Sequence, residues 1–133
     1  MAEDFRGEEG RLTGGATGRL SLWAPVVVVA AAILYLSVIR RPLGWAELPL
    51  QSDKLGHLAA YGVLSFLLAR ALGAHHSGAS VAVSAAAWAT AYGGLLEVVQ
   101  PMVGRTADFL DLAASLLGAA LAAALWVRLG RGG

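Results

Sequence analysis

Glu97 to Asp111, reading EVVQPMVGRTADFLD, places three carboxylates, an amide and an arginine between two long apolar runs. Charges at membrane depth are expensive, so such a cluster is paired, hydrated or used. A second polar stretch lies upstream. Asp53, His57 and Tyr61 recur every four residues and share one helix stripe, with Lys54 beside them. Glu97 and Gln100 are three apart, and Asp108, Asp111 and Ser115 follow at intervals of three and four. These types support several chemistries. Lys54 and Arg105 suit phosphate or carboxylate, and Asp53, Glu97, Asp108 and Asp111 suit sugar hydroxyls or amines. Glu97 and His57 are the candidate catalytic pair, as base and acid. One histidine with several carboxylates supplies ligands for a divalent cation, yet no HExxH or paired-histidine motif accompanies them, so neither metal nor cofactor is predicted. Ser52, Ser65 and Ser115 lack a GxSxG elbow, which leaves no serine nucleophile to nominate.

Four apolar segments must position these residues. The 133-residue chain is 57% hydrophobic and only 14% charged, with a mean hydropathy of +0.64, far from the composition of a soluble domain. It reads as an all-α integral membrane protein, an antiparallel four-helix bundle with the lipid bilayer as its main partner. A net charge of +1 offers no basic excess for a phosphate backbone, so nucleic acid is not a partner. The absence of cysteine excludes disulfides and thiol chemistry.

Residues 1–21 carry seven charges and several glycines, and they predict a disordered tail ahead of a membrane domain over 22–128. Leu22 to Ile39 is uncharged, and at about 1.5 Å per residue it crosses the hydrocarbon core, with Arg40 and Arg41 as its stop. Trp45, between Pro42 and Pro49, suits the interface. Ser52 or Asp53 is expected to cap a second span that ends near Leu72. His75 and His76 occupy a tight turn and read as solvated. Span three runs from about Val81 to Val99, with Ala82, Ala85, Ala86, Ala89, Gly93 and Gly94 permitting close helix approach. Pro101 ends it. Span four runs from about Ala107 to Val127, with Ser115, Gly118 and Ala122 on one stripe.

Four spans put both termini on one side. Arg6, Arg11, Arg19, Arg70, Arg128 and Arg131 fall there, against Arg40, Arg41, Lys54 and Arg105 opposite. The excess of positive charge favours cytoplasmic termini. The start of span two, the end of span three and the start of span four then share the opposite face, where their polar stripes meet as a shallow outward pocket.

At these residues the chain resembles a known family. DKLGHLAAY, the E-x-x-Q of Glu97 and Gln100, and the R-x-x-D-x-x-D of Arg105, Asp108 and Asp111 followed by LLG are similar to the motifs of VanZ-like bacterial membrane proteins. The similarity covers about residues 53–118. Two positions depart from the pattern: Ser115 stands where the family usually has asparagine, and Pro101 directly follows Gln100 instead of lying nearer the arginine. The resemblance implies a bacterial inner-membrane setting linked to envelope polysaccharide systems or resistance to the glycopeptide teicoplanin.

Each residue also has a plainer role. Asp53 and Asp108 suit helix N-termini, Lys54 can snorkel, and Tyr61 can pack its ring while its hydroxyl serves the cluster. Glu97 and Arg105 can form an ion pair that pins the turn between spans three and four. Asp111, one turn deeper, needs Arg105, Lys54 or His57 as a partner. Three functions follow. The first is binding of a lipid-linked or glycan head group of the cell envelope by Asp53, Lys54, His57, Tyr61, Glu97, Gln100, Arg105, Asp108 and Asp111. The second is a membrane-embedded hydrolase or transferase acting on the same compounds, and the third a structural or partner-binding bundle.

Overall fold

Apolar stretches of about twenty residues bonded only to themselves satisfy every backbone group without water, and this chain follows that rule. The computed structural model describes residues 2–39, 50–74 and 78–131. Its elements are α1 (Ala2–Val38), α2 (Leu50–Leu72), α3 (Ala79–Val99) and α4 (Phe109–Arg131), with a 3-10 turn at Gln100–Val103 and no strand among the described residues. All four helices are long and apolar enough to cross a membrane, over Thr17–Val38, Asp53–Leu72, Ala79–Val103 and Phe109–Gly130. Their outer faces carry Val27, Val28, Tyr35, Val83, Trp88, Leu95, Leu121 and Leu125, all exposed. Ser65, Gln100, Asp111 and Ser115 lie inside. Apolar outside and polar within is the arrangement that a hydrocarbon solvent rewards.

The sequence predicts consecutive antiparallel neighbours, but the most extensive packing joins α2 to α4, which run in the same direction. Lys54 meets Asp111, His57 meets Ser115, Ser65 donates to the Ala119 carbonyl at 3.1 Å, and Phe66 sets its ring edge-on to Trp126. Helix α3 runs antiparallel to both and presents Ala82, Ala85, Ala89 and Gly93 as a buried small-residue face. Helix α1 lies outside this trio, against α2 and more lightly α3, with no packing on α4. The fold is therefore a four-helix bundle whose core is the α2–α3–α4 trio, with α1 attached at its side.

Three expectations change. Helix α1 continues back to Ala2 through the stretch predicted to be disordered. Once a helix is nucleated, each added residue fixes its own dihedrals in exchange for a hydrogen bond, so an apolar span can propagate helix into a polar flank. Helix α2 starts at Leu50, which places Asp53 in its first turn and not at the cap. There the carboxylate still faces the positive end of the helix dipole. Helix α4 starts at Phe109, two residues later than predicted, because Asp108 caps it. Arg40, Arg41, Trp45, His75 and His76 lie outside the described residues.

Glycine makes the α2–α4 contact possible. A Cβ on Gly118 would overlap the Leu58 carbonyl oxygen, and one on Gly62 would stand 3.3 Å from the Gly118 oxygen. Only backbone can yield at the first position. Gly118→Ala is expected to destabilise the protein by about 1–3 kcal/mol through forced helix separation. Gly130→Ala, where a Cβ meets nothing within 4 Å, should be neutral or slightly stabilising. Thermal unfolding of the two purified variants in detergent checks this, and a Gly118→Ala midpoint equal to wild type would refute the close approach.

Candidate functional site

Three helix ends converge on one face: α2 begins there, α3 ends there and α4 begins there. Parallel α2 and α4 bring two positive dipole ends together, which is unfavourable until carboxylates offset them. Asp53 on α2 and Asp108 and Asp111 on α4 supply that charge. Lys54 then joins the helices. Its Nζ donates to Asp108 Oδ2 at 3.0 Å and to Asp111 Oδ1 at 3.1 Å. Asp111 is the deeper acid and is buried, while Lys54 and Asp108 remain partly open, their side chains 27% and 39% exposed. The cluster is thus sealed on its bundle side and wet on the other.

One turn further in, His57 extends the network. Its Nε2 lies 3.6 Å from Asp111 Oδ2, its Nδ1 lies 3.3 Å from Ser115 Oγ, and Ser115 Oγ donates to the Asp111 carbonyl at 2.8 Å. Tyr61, almost fully buried, stacks on the imidazole with ring centroids 5.9 Å apart. A Cβ on Gly93 would stand only 3.0 Å from that tyrosine ring, so α3 closes the stack from behind. Asp53, His57 and Asp111 present ligand atoms all within 4.8 Å of one another.

Glu97 and Arg105 do not pair. Glu97 Oε2 accepts the backbone N–H of Asp108 at 3.0 Å, while Asp108 Oδ1 accepts that of Leu110 at 2.8 Å. Two carboxylates thereby satisfy donors at the start of α4 that a helix leaves open. Arg105 turns the other way. Its Nη1 donates to the Leu36 and Ser37 carbonyls, each at 2.9 Å, capping the C-terminal end of α1 with a positive charge. The 3-10 turn aims it: Gly104, at φ 78°, closes the turn, and Arg105 N–H donates to the Gln100 carbonyl at 3.0 Å. Gln100 is buried and acts here through its backbone, with no side-chain hydrogen bond among the described residues. Neither do Glu97 and His57 bond to each other, so the predicted acid–base pair is not assembled.

Of the nine predicted residues, Asp53, Lys54, His57, Tyr61, Asp108 and Asp111 thus form one connected group. Glu97 touches its edge through the α4 cap, and Arg105 and Gln100 serve the connection to α1. Spacing alone did not announce two further features. Ser115, read as part of a stripe and as a departure from the family pattern but not as a site residue, orients His57. Below the cluster an open apolar groove of about 400 Å³ runs between α2 and α4, lined by Leu58, Gly62, Phe66, Gly118, Leu121 and Leu125 among others. It begins one residue past His57 and one turn past Ser115. The missing side chains of Gly62 and Gly118 were its only trace in the sequence. No family model, curated protein or solved structure matches this chain.

The Lys54 ammonium, and after it the Leu110 N–H, hold the Asp108 carboxyl below the usual carboxylate range. A carboxyl depressed on folding contributes stability that is complete above its ordinary value, about 4, and is lost as pH falls through the lowered one. Lys54→Met should therefore lower the unfolding midpoint at neutral pH. The gap from wild type should narrow as pH drops below about 4 and Asp108 takes up a proton. Unfolding of both proteins in detergent across that range tests the bridge, and a gap that is constant with pH would rule it out.

Proposed function

We propose that this chain is a multi-pass protein of the bacterial cytoplasmic membrane that binds the head group of a lipid-linked envelope compound at the polar cluster. The observation that carries the reading is a junction: a partly open polar group on α2 and α4 stands directly above an apolar groove between the same two helices. A lipid-linked glycan has that profile, with a polar head at the interface and a hydrocarbon chain below it. The basic-residue bias favours an outward-facing cluster, and the motif resemblance supports the setting of envelope polysaccharide or glycopeptide-resistance systems.

The chemistry of recognition follows from which groups are committed. Lys54 is engaged by two carboxylates and Arg105 by the α1 carbonyls, so these cations are not the anion receptors that composition alone suggests. The open side of the cluster is acidic. It suits hydroxyls and amines of a sugar, which donate to carboxylates. A second reading draws support from the same bridge, because Lys54 fixes the register of α2 on α4 and a purely structural clasp would do so too. The hydrolase or transferase reading has no comparable support, since Glu97 is spent on the α4 cap.

Binding separates these readings. In native mass spectrometry of the detergent-solubilised protein, a diacylglycerol-linked disaccharide, which carries no phosphate, should be retained by wild type. Asp111→Asn should weaken it by tenfold or more, equivalent to about 1.4 kcal/mol. Ala59→Trp, which fills the groove, should weaken the lipid-linked form and leave the free disaccharide unaffected. A folded Asp111→Asn variant that binds as wild type does would leave only the clasp.

Orientation has its own test. The chain contains no cysteine, and Met102 and Ser80 are exposed at opposite ends of α3. A membrane-impermeant thiol reagent applied to intact cells should label Met102→Cys and spare Ser80→Cys. The reverse pattern would put the cluster in the cytoplasm.

A further inference from the structure

We infer that Asp53, His57 and Asp111 form a binding site for a divalent first-row metal ion, Mn²⁺ or Zn²⁺, at the mouth of the α2–α4 junction. The inference does not rest on the head-group reading and is tested with the metal alone.

The hydrogen-bond chain below His57 sets the polarity of its ring. The Asp111 carbonyl can only accept, so the Ser115 hydroxyl proton is committed to it. Ser115 Oγ must then act as acceptor toward the imidazole, which puts a hydrogen on Nδ1. Nε2 of the neutral ring is consequently a lone pair. It points at Asp111 Oδ2, also an acceptor, 3.6 Å away. Two acceptors face to face repel unless something positive lies between them. A proton on Nε2 would supply that, but 3.6 Å is beyond a normal N–H···O bond. A metal ion fits the spacing better: with metal–ligand bonds of about 2.0–2.2 Å, a tetrahedral centre separates its ligands by about 3.3–3.6 Å.

The remaining features are those of a metal site. Asp53 brings a third ligand atom within 4.8 Å of the other two, a gap that a rotation of its side chain by about an ångström closes to ligand–ligand spacing. Lys54 takes the other oxygen of Asp111, which leaves Oδ2 for monodentate ligation. Ser115 holds the far nitrogen of the histidine, as the outer partner of a metal-bound imidazole does. One imidazole with two carboxylates suits Mn²⁺ or Zn²⁺ rather than the all-oxygen shell preferred by Ca²⁺. The ion would keep further positions open toward the wet side of the cluster.

Equilibrium dialysis of the purified full chain in lipid-free detergent against MnCl₂ or ZnCl₂ should show one ion per chain, with affinity falling at least tenfold in His57→Gln and in Asp53→Asn. Ser115→Ala should weaken binding by a smaller factor. Because a variant can misfold, the wild type carries a second readout: pulsed EPR of bound Mn²⁺ should show nitrogen coupling from one imidazole. Absence of stoichiometric binding by wild type, affinity unchanged in folded His57→Gln, or bound Mn²⁺ without nitrogen coupling would each overturn the site. The first of these would assign the gap between Nε2 and Oδ2 to a proton. Failure of the wild type to bind metal would not touch its lipid retention, which is measured without added metal, so the two proposals fail separately.

Discussion

Gly118 packs its bare backbone against the Leu58 carbonyl, and the functional end of the fold depends on that contact. Parallel helices with like dipole ends together have no electrostatic reason to touch. They touch here because α4 lacks a side chain where α2 presents its backbone. Once they are that close, Lys54 reaches two carboxylates on the other helix and His57 reaches Ser115. Wider spacing would dissolve the cluster before it disturbed the hydrophobic contacts, since hydrogen bonds fall off within a fraction of an ångström and dispersion contacts spread over many atoms.

The polar network is stratified by depth. Nearest the water are Lys54 and Asp108, next Asp111, and innermost His57, Ser115 and Tyr61. Exposure falls from Lys54 and Asp108 through His57 to Asp111, Ser115 and Tyr61. In a bilayer the cost of an unpaired group rises along the same axis. The arrangement therefore grows more rigid as it grows drier, and the adaptable groups are left at the surface where a ligand arrives.

Much of this was legible in the sequence because period and polarity carry far in a chain with so few charges. Asp53, His57 and Tyr61 at intervals of four, and Asp108, Asp111 and Ser115 at three and four, specified which stripes would face one another. Four apolar runs specified how many helices there would be. Partner choice was not legible. Glu97 and Arg105 have opposite charges and sit eight residues apart, yet the 3-10 turn through Pro101 and Gly104 sends Arg105 toward α1 and leaves Glu97 to the cap of α4. That outcome depends on a backbone turn and on a helix distant in sequence. Parallel packing of α2 on α4 was implicit in the topology, but its dominance over the sequential neighbours came from glycines whose effect lies in what they omit.

Helix α1 leaves the ribosome before the other three helices and is finished after them. Among the described residues, Tyr92 and Arg105 are polar donors that hold it to the core. Tyr92 donates to its Ala30 carbonyl at 2.8 Å, and Arg105 to the carbonyls of Leu36 and Ser37. Both are encoded more than sixty residues downstream. Until α3 and the turn after it are in the bilayer, the first helix has no polar hold on its neighbours from this pair and can diffuse as an independent segment. Biogenesis thus has a built-in order: the translocon delivers α1 early, and the arrival of Arg105 locks it in place.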